Sequence, residues 1–109
     1  MSQFFVPLES RPPRTLFPGV VTRTLWLEKL MLSMVDFEPH AAVPKHQHPH
    51  EQMGMVVHGR LAFMIGGEER IVNAGEWYSI PSNVPHQAAA LEEPARALDV
   101  FSPVREEYK

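Results

Sequence analysis

Eleven prolines and six glycines interrupt a chain of 109 residues, and the apolar segments between them are too brief for typical helices. Those segments read as strands. Val20–Leu27 (VVTRTLWL) and Leu30–Phe37 (LMLSMVDF) are separated by Glu28-Lys29, and Glu38-Pro39 closes the second. Gln52–Val57 and Leu61–Ile65 flank His58-Gly59-Arg60, and Gly66-Gly67 makes a two-residue hairpin turn into Glu69–Val72. Asn73–Glu76 turns into Trp77–Ile80, Pro81–Pro85 is a loop, and His86–Ala90 and Ala95–Phe101 complete the set. Leucine and methionine would favour a helix over Lys29–Val35. The following Val-Asp-Phe-Glu-Pro holds no helical stop, however, and the neighbours are strand-like, so a strand is expected there too. Evenly spaced strands with turn signals between them predict one all-β domain, a sandwich or barrel. Residues 1–18, with Pro7 to Pro18, form an extended N-terminal arm in this reading, and residues 19–109 form the barrel.

Charge and hydropathy narrow the partners. A net charge of −3 gives no electrostatic footprint for nucleic acid, and no apolar stretch is long enough for a membrane span. The absence of cysteine excludes disulfides, thiolate metal sites and a cysteine nucleophile. The opening MSQFFVPLESRPPR lacks the charged start and apolar core of a secretory signal, so a cytoplasmic protein is expected.

Against this plain background, His46 to Gly59 (HQHPHEQMGMVVHG) holds four of the six histidines in the chain. His46, His48 and His50 share parity, so a straight strand would point all three to one face, although Pro49 interrupts it. In the strand that restarts near Gln52, the Gln52, Gly54 and Val56 side chains share one face. Met53, Met55 and Val57 take the other, which is expected to pack between sheets. Two histidines at i and i+2 before a turn, with an oxygen ligand just after it, can converge on one ion, and imidazole suits zinc, nickel, copper or iron. His50 reads as a solvated turn residue, with a place at a pocket rim or a supporting hydrogen bond as the alternative. His58 and His40 read as turn and loop residues without a role.

The same residues resemble the cupin family. His46-Gln-His48-Pro-His-Glu-Gln52, followed by six residues to Gly59, is similar to the first cupin motif. Gly75, five residues, then Pro81-Ser-Asn83-Val-Pro-His86 is similar to the second, in which glycine more often stands at the place of Asn83. Asparagine also tolerates the left-handed backbone. The resemblance implies a double-stranded β-helix, the jelly-roll barrel. It also implies one divalent transition metal (nickel, zinc, iron or manganese) on His46, His48, Gln52 and His86. Many cupins carry glutamate where Gln52 stands. A neutral amide beside three neutral imidazoles leaves the ion's double charge uncompensated, which makes a stronger Lewis acid and attracts an anionic substrate. It also favours nickel or zinc over magnesium or calcium. Glu51 would ligate only if the turn shifted by one residue.

The chain ends LDVFSPVREEYK. Asp99 and Phe101 share parity on the last strand, Pro103 ends it, and Arg105 is free to fold back. A carboxylate inside the closing strand of a small barrel needs a partner or a task. This Asp-x-Phe-x-x-x-Arg ending, together with glutamine as fourth ligand, resembles the cupins of the KdgF type, which linearise 4,5-unsaturated uronates from pectin and alginate. The resemblance implies a small sugar-acid substrate, with Asp99 as general acid/base, Arg105 on the substrate carboxylate and Phe101 shaping the pocket. Two other functions share the same metal: an iron-dependent dioxygenase and a non-catalytic sugar-acid-binding module. The extended arm and the exposed sheet edges favour a homodimer.

Overall fold

Along the last strand every second side chain is buried: Ala95, Ala97, Asp99 and Phe101 point inward while their neighbours face out, as the pleat of a sheet covered on one face requires. The computed structural model describes residues 2–109, and among these it contains ten strands and no α-helix. They are β1 (Arg14–Phe17), β2 (Val20–Trp26), β3 (Met31–Phe37), β4 (Ala42–His46), β5 (Glu51–His58), β6 (Arg60–Ile65), β7 (Glu68–Asn73), β8 (Trp77–Ile80), β9 (His86–Ala90) and β10 (Ala95–Ser102). A six-stranded sheet has the order β1-β2-β3-β10-β5-β8, and a four-stranded sheet the order β4-β9-β6-β7. Neighbouring strands are antiparallel throughout. This is the jelly roll expected from the sequence. Among the described residues no helix is long and apolar enough to cross a membrane.

Register sets the inward residues of the six-stranded sheet in rows. One row runs Thr22, Val35, Ala97, Val56, and the next runs Thr24, Ser33, Asp99, Gly54, Tyr78. A third runs Trp26, Met31, Phe101, Gln52, Ile80. The main core (Val35, Phe37, Val56, Leu61, Phe63 and Ile80 among its members) fills one part of the interior. A smaller cluster of Met31, Phe101 and Val104 closes the other, with Trp26 and Tyr108 packed on it. Each fully buried aliphatic side chain contributes roughly 1.5–3 kcal/mol of transfer free energy. The row of Asp99 runs between these two clusters, with Tyr78 at its end belonging to the main core.

Three features differ from expectation. Arg14–Phe17, within the expected arm, forms β1 against β2 of the same chain. Ala42–His46 forms β4, a strand absent from those expected; it holds Pro44 because it is an edge strand, where a missing N–H costs no ladder bond. The third is a correction. Met53 is 61% and Val57 40% exposed, while Gln52 and Val56 are buried. The methionine face of β5 is the outer face of its sheet, and the inter-sheet space lies on the Gln52 side. Both faces of β5 carry apolar residues, so hydrophobicity alone gave the wrong side.

Candidate metal centre and pocket

The histidines meet because β4 bulges. Val43 pairs with Ala88 and His46 with His86, so three steps along β4 match two along β9. The extra residue rotates His46 to stand directly across from His86. His48 follows just beyond the strand, and its backbone carbonyl accepts the Asn83 N–H at 2.8 Å. Asn83 has φ 63°, the left-handed turn its place in the motif calls for. The ring centroids of His46 and His86 are 4.2 Å apart, those of His48 and His86 4.9 Å, and those of His46 and His48 5.5 Å. One nitrogen from each ring lies within 4.8 Å of the others.

Hydrogen bonding fixes which nitrogens these are. His46 Nδ1 faces the Pro44 carbonyl at 2.9 Å, His48 Nδ1 that of His50 at 3.0 Å, and His86 Nδ1 that of Val84 at 2.8 Å. A carbonyl oxygen only accepts, so each Nδ1 carries the proton and each Nε2 keeps a lone pair. His86 Nε2 is buried without a partner. His48 Nε2 meets Gln52 Oε1 at 3.2 Å, acceptor against acceptor in this tautomer. Gln52 thus turns its amide oxygen toward the imidazoles. Burial lowers His86 to about 4, and burial followed by the charge of Arg105 lowers His48, so both rings are neutral at neutral pH. Three converging imidazoles, of which His86 keeps a buried and unpartnered Nε2, could hold a metal ion, and the donor set fits a divalent transition metal. Glu51 is exposed and takes no part.

Asp99 stands beside this cluster on β10. Tyr78 donates its hydroxyl to Asp99 Oδ1 at 2.6 Å. Desolvation lifts the carboxyl to about 6, against the opposing pull of the Tyr78 and Gln52 hydrogen bonds and the Arg105 charge. Tyr78 and Asp99 lie on strands that flank β5, and Gly54 is the residue between them. A Cβ on Gly54 would collide with Asp99 Oδ1 and with the Tyr78 ring and hydroxyl. The glycine is required by space, since its backbone is ordinary strand. Gly54→Ala is expected to cost about 1–3 kcal/mol by overpacking, and roughly 4–8 °C of Tm per kcal/mol. Thermal denaturation of the metal-free protein measures this, and an unchanged Tm would mean the row is looser than the geometry implies.

Arg105 folds back as the sequence allowed. It is buried, with its Nε unpartnered and only a long 3.4 Å contact to Glu107. Its guanidinium carbon lies 4.1 Å from the Tyr108 ring centre and 5.1 Å from that of Phe101, a cation–π seat that holds a charge without neutralising it. The tail that carries it is pinned by main-chain acceptors: Arg14 donates to the Glu107 and Lys109 carbonyls, and Thr24 to that of Tyr108 at 2.8 Å. Phe101 lies edge-on to His48 with ring centroids 5.8 Å apart. His46, Gln52, His86, Asp99, Phe101 and Arg105 line one cavity, and His48 borders it through Phe101. His50 is half-buried with Nδ1 sealed and unpartnered, so it is not the solvated turn residue expected; its carbonyl orients His48. His58 and His40 are exposed.

Sequence reasoning missed Tyr78, Tyr108 and Gly54. An isolated glycine inside a strand signals close approach by another group, and that signal was present at Gly54. Nothing local marked either tyrosine.

Residues 33–101 match the profile of the cupin domain family. The pectin degradation protein KdgF of Dickeya dadantii (strain 3937) is 32% identical over 110 residues, covering 99% of each chain. The structure of KdgF from Halomonas sp. superposes with a TM-score of 0.89 at 30% identity, over 100% of both chains. An RmlC-like cupin from Shewanella frigidimarina NCIMB 400 superposes with a TM-score of 0.91 at 27% identity, over 99% of this chain and 97% of that one.

Proposed function

The chain belongs to the cupin family, and on that premise we propose that it is a metal-dependent enzyme that opens cyclic 4,5-unsaturated uronates to their open-chain keto forms. The observation that carries this reading is Arg105, a buried guanidinium with an unpartnered Nε that shares its cavity with Asp99 and the imidazoles. Its one ion pair is the long 3.4 Å contact to the exposed Glu107 carboxylate, and a buried cation so weakly paired is costly; a substrate carboxylate in the cavity would supply a closer anion. The likeness to two KdgF proteins, one of them named for pectin degradation, supports a substrate derived from pectin.

The reaction is an isomerisation. The bond between C1 and the ring oxygen breaks, the C1 hydroxyl loses its proton as the aldehyde forms, and C4 gains a proton as C5 becomes a ketone. The two proton transfers cancel, so no co-reactant is consumed. Asp99 takes up the first proton and returns the second, a task suited to a carboxyl near 6 because both of its forms are accessible at neutral pH. Arg105 fixes the uronate carboxylate in fork geometry and so orients the ring. Phe101 covers His48 and excludes water beside it. A divalent transition metal on His46, His48, Gln52 and His86 supplies Lewis-acid polarisation of substrate oxygens when bound. A carboxyl tuned to exchange protons favours catalysis over mere binding.

The test is turnover of 4,5-unsaturated galacturonate by zinc- or nickel-loaded protein, followed as loss of ultraviolet absorbance and compared with buffer, because the ring also opens unaided. No acceleration would remove this substrate class. Arg105→Lys is expected to raise KM about 10–100-fold, the loss of one bidentate charge-assisted contact, with kcat within a few-fold of the parent. An unaltered KM would return Arg105 to a purely structural place against Tyr108.

A further inference from the structure

We propose that Tyr78 is a positioning residue that locks Oδ1 of Asp99, so that proton exchange with the substrate runs through Oδ2 alone. This rests on the ring-opening reading above. The 2.6 Å hydrogen bond is buried and joins two strands that are not neighbours, across the gap that Gly54 leaves in β5. Three residues on three strands are thus committed to one contact, with no space left for a side chain between them. Phe63 packs on the Tyr78 ring at a centroid distance of 4.3 Å, so the phenol cannot swing away. Burial and the neighbouring Asp99 charge push the Tyr78 hydroxyl far above its ordinary range, so it stays a donor throughout the reaction and is not itself the acid. A carboxylate free to rotate would present either oxygen at changing angles to the reacting carbon. With Oδ1 held, one orientation remains, and orientation errors of about 1 Å cost on the order of 10²-fold in rate.

Tyr78→Phe keeps the ring and its packing on Phe63, so the variant is expected to fold and to bind zinc with the parent's stoichiometry. Its kcat for the unsaturated uronate should fall on the order of 10–10²-fold, with KM within about twofold, because Arg105 and the metal ligands are untouched. In an Asp99→Asn background the same change should cost nothing further, since Tyr78 acts only through Asp99. Unchanged kcat in the single variant, or a full additive loss in the double variant, would overturn the proposal. Proton NMR of the zinc-loaded protein supplies a readout independent of turnover. A slowly exchanging downfield hydroxyl proton should be present in the parent and absent from Tyr78→Phe and Asp99→Ala. If the parent opens no uronate but shows this proton, the substrate assignment fails and the lock stands. If the proton is absent from the parent, the lock fails whatever the substrate.

Discussion

Asp99→Asn is expected to lower kcat for uronate opening by about 10²–10⁴-fold, the usual worth of a positioned general acid/base, with KM nearly unchanged. The substitution is close to isosteric. The amide oxygen can still accept the Tyr78 hydroxyl, so the row across β8, β5 and β10 has no reason to rearrange. Only the capacity to take up and release a proton is lost. The carboxyl is also the group whose burial is hardest to explain structurally. It lies between two apolar clusters, and desolvation holds it near 6, well above an ordinary aspartate. Asp99→Asn is accordingly expected to leave the metal-free protein as stable as the parent, or slightly more so. Steady-state kinetics with the zinc form, beside melting curves of the apo form, separate the two effects. A variant with parental kcat would show that Asp99 moves no proton and that its burial has another cause.

His48→Ala should act on a different quantity, the affinity for the metal. Losing even a supporting residue of a metal site costs about 10–100-fold in affinity, and losing a ligand should cost at least that. Binding to the folded state alone stabilises it by about 2.7 kcal/mol when the metal stands at 100 times its Kd. For a domain of this size that is a rise in Tm on the order of 10 °C. The parent should show this rise as zinc or nickel is added, and His48→Ala should not. His58→Ala is the control, because His58 is exposed and remote from the cluster. Elemental analysis after gel filtration gives the stoichiometry directly. Equal metal content in parent and His48→Ala would sink the assignment of the cluster.

The local periodicity of β10 was enough to orient Asp99 and Phe101, because an inward and an outward residue alternate on a short strand with clear ends; on β5 it set Gln52, Gly54 and Val56 on one face without saying which face is covered. It did not orient Met53, Met55 and Val57, since both faces of β5 carry hydrophobic side chains and only the opposing sheet decides which is covered. The histidines were legible as a cluster through their spacing. The approach of His46 and His48 was expected from that spacing and that of His86 from the family resemblance; the device that achieves it, the bulge between Val43 and His46, is something a strict period of two cannot express. Arg105 was legible as mobile past Pro103. That it ends in the cavity depends on Arg14 and Thr24, more than 80 residues away in the chain, holding the tail through its carbonyls. Tyr78 was invisible for a similar reason: its partner lies two strands away across a glycine, and no pattern within β8 records that.

The Nδ1 protons of His46, His48 and His86 all go to main-chain carbonyls two residues away in sequence. In many metal sites a carboxylate side chain takes that proton, and changing it loosens or retunes the ligand. Here the orienting groups belong to the backbone, and no point substitution deletes a carbonyl. The ring orientations are therefore insulated from mutation at Pro44, His50 and Val84 so long as the local chain path survives. Neutral drift can rewrite those positions without disturbing the imidazoles. The preferences of the centre are then set chiefly by the side chains that share its cavity, Gln52, Asp99 and those of the tail.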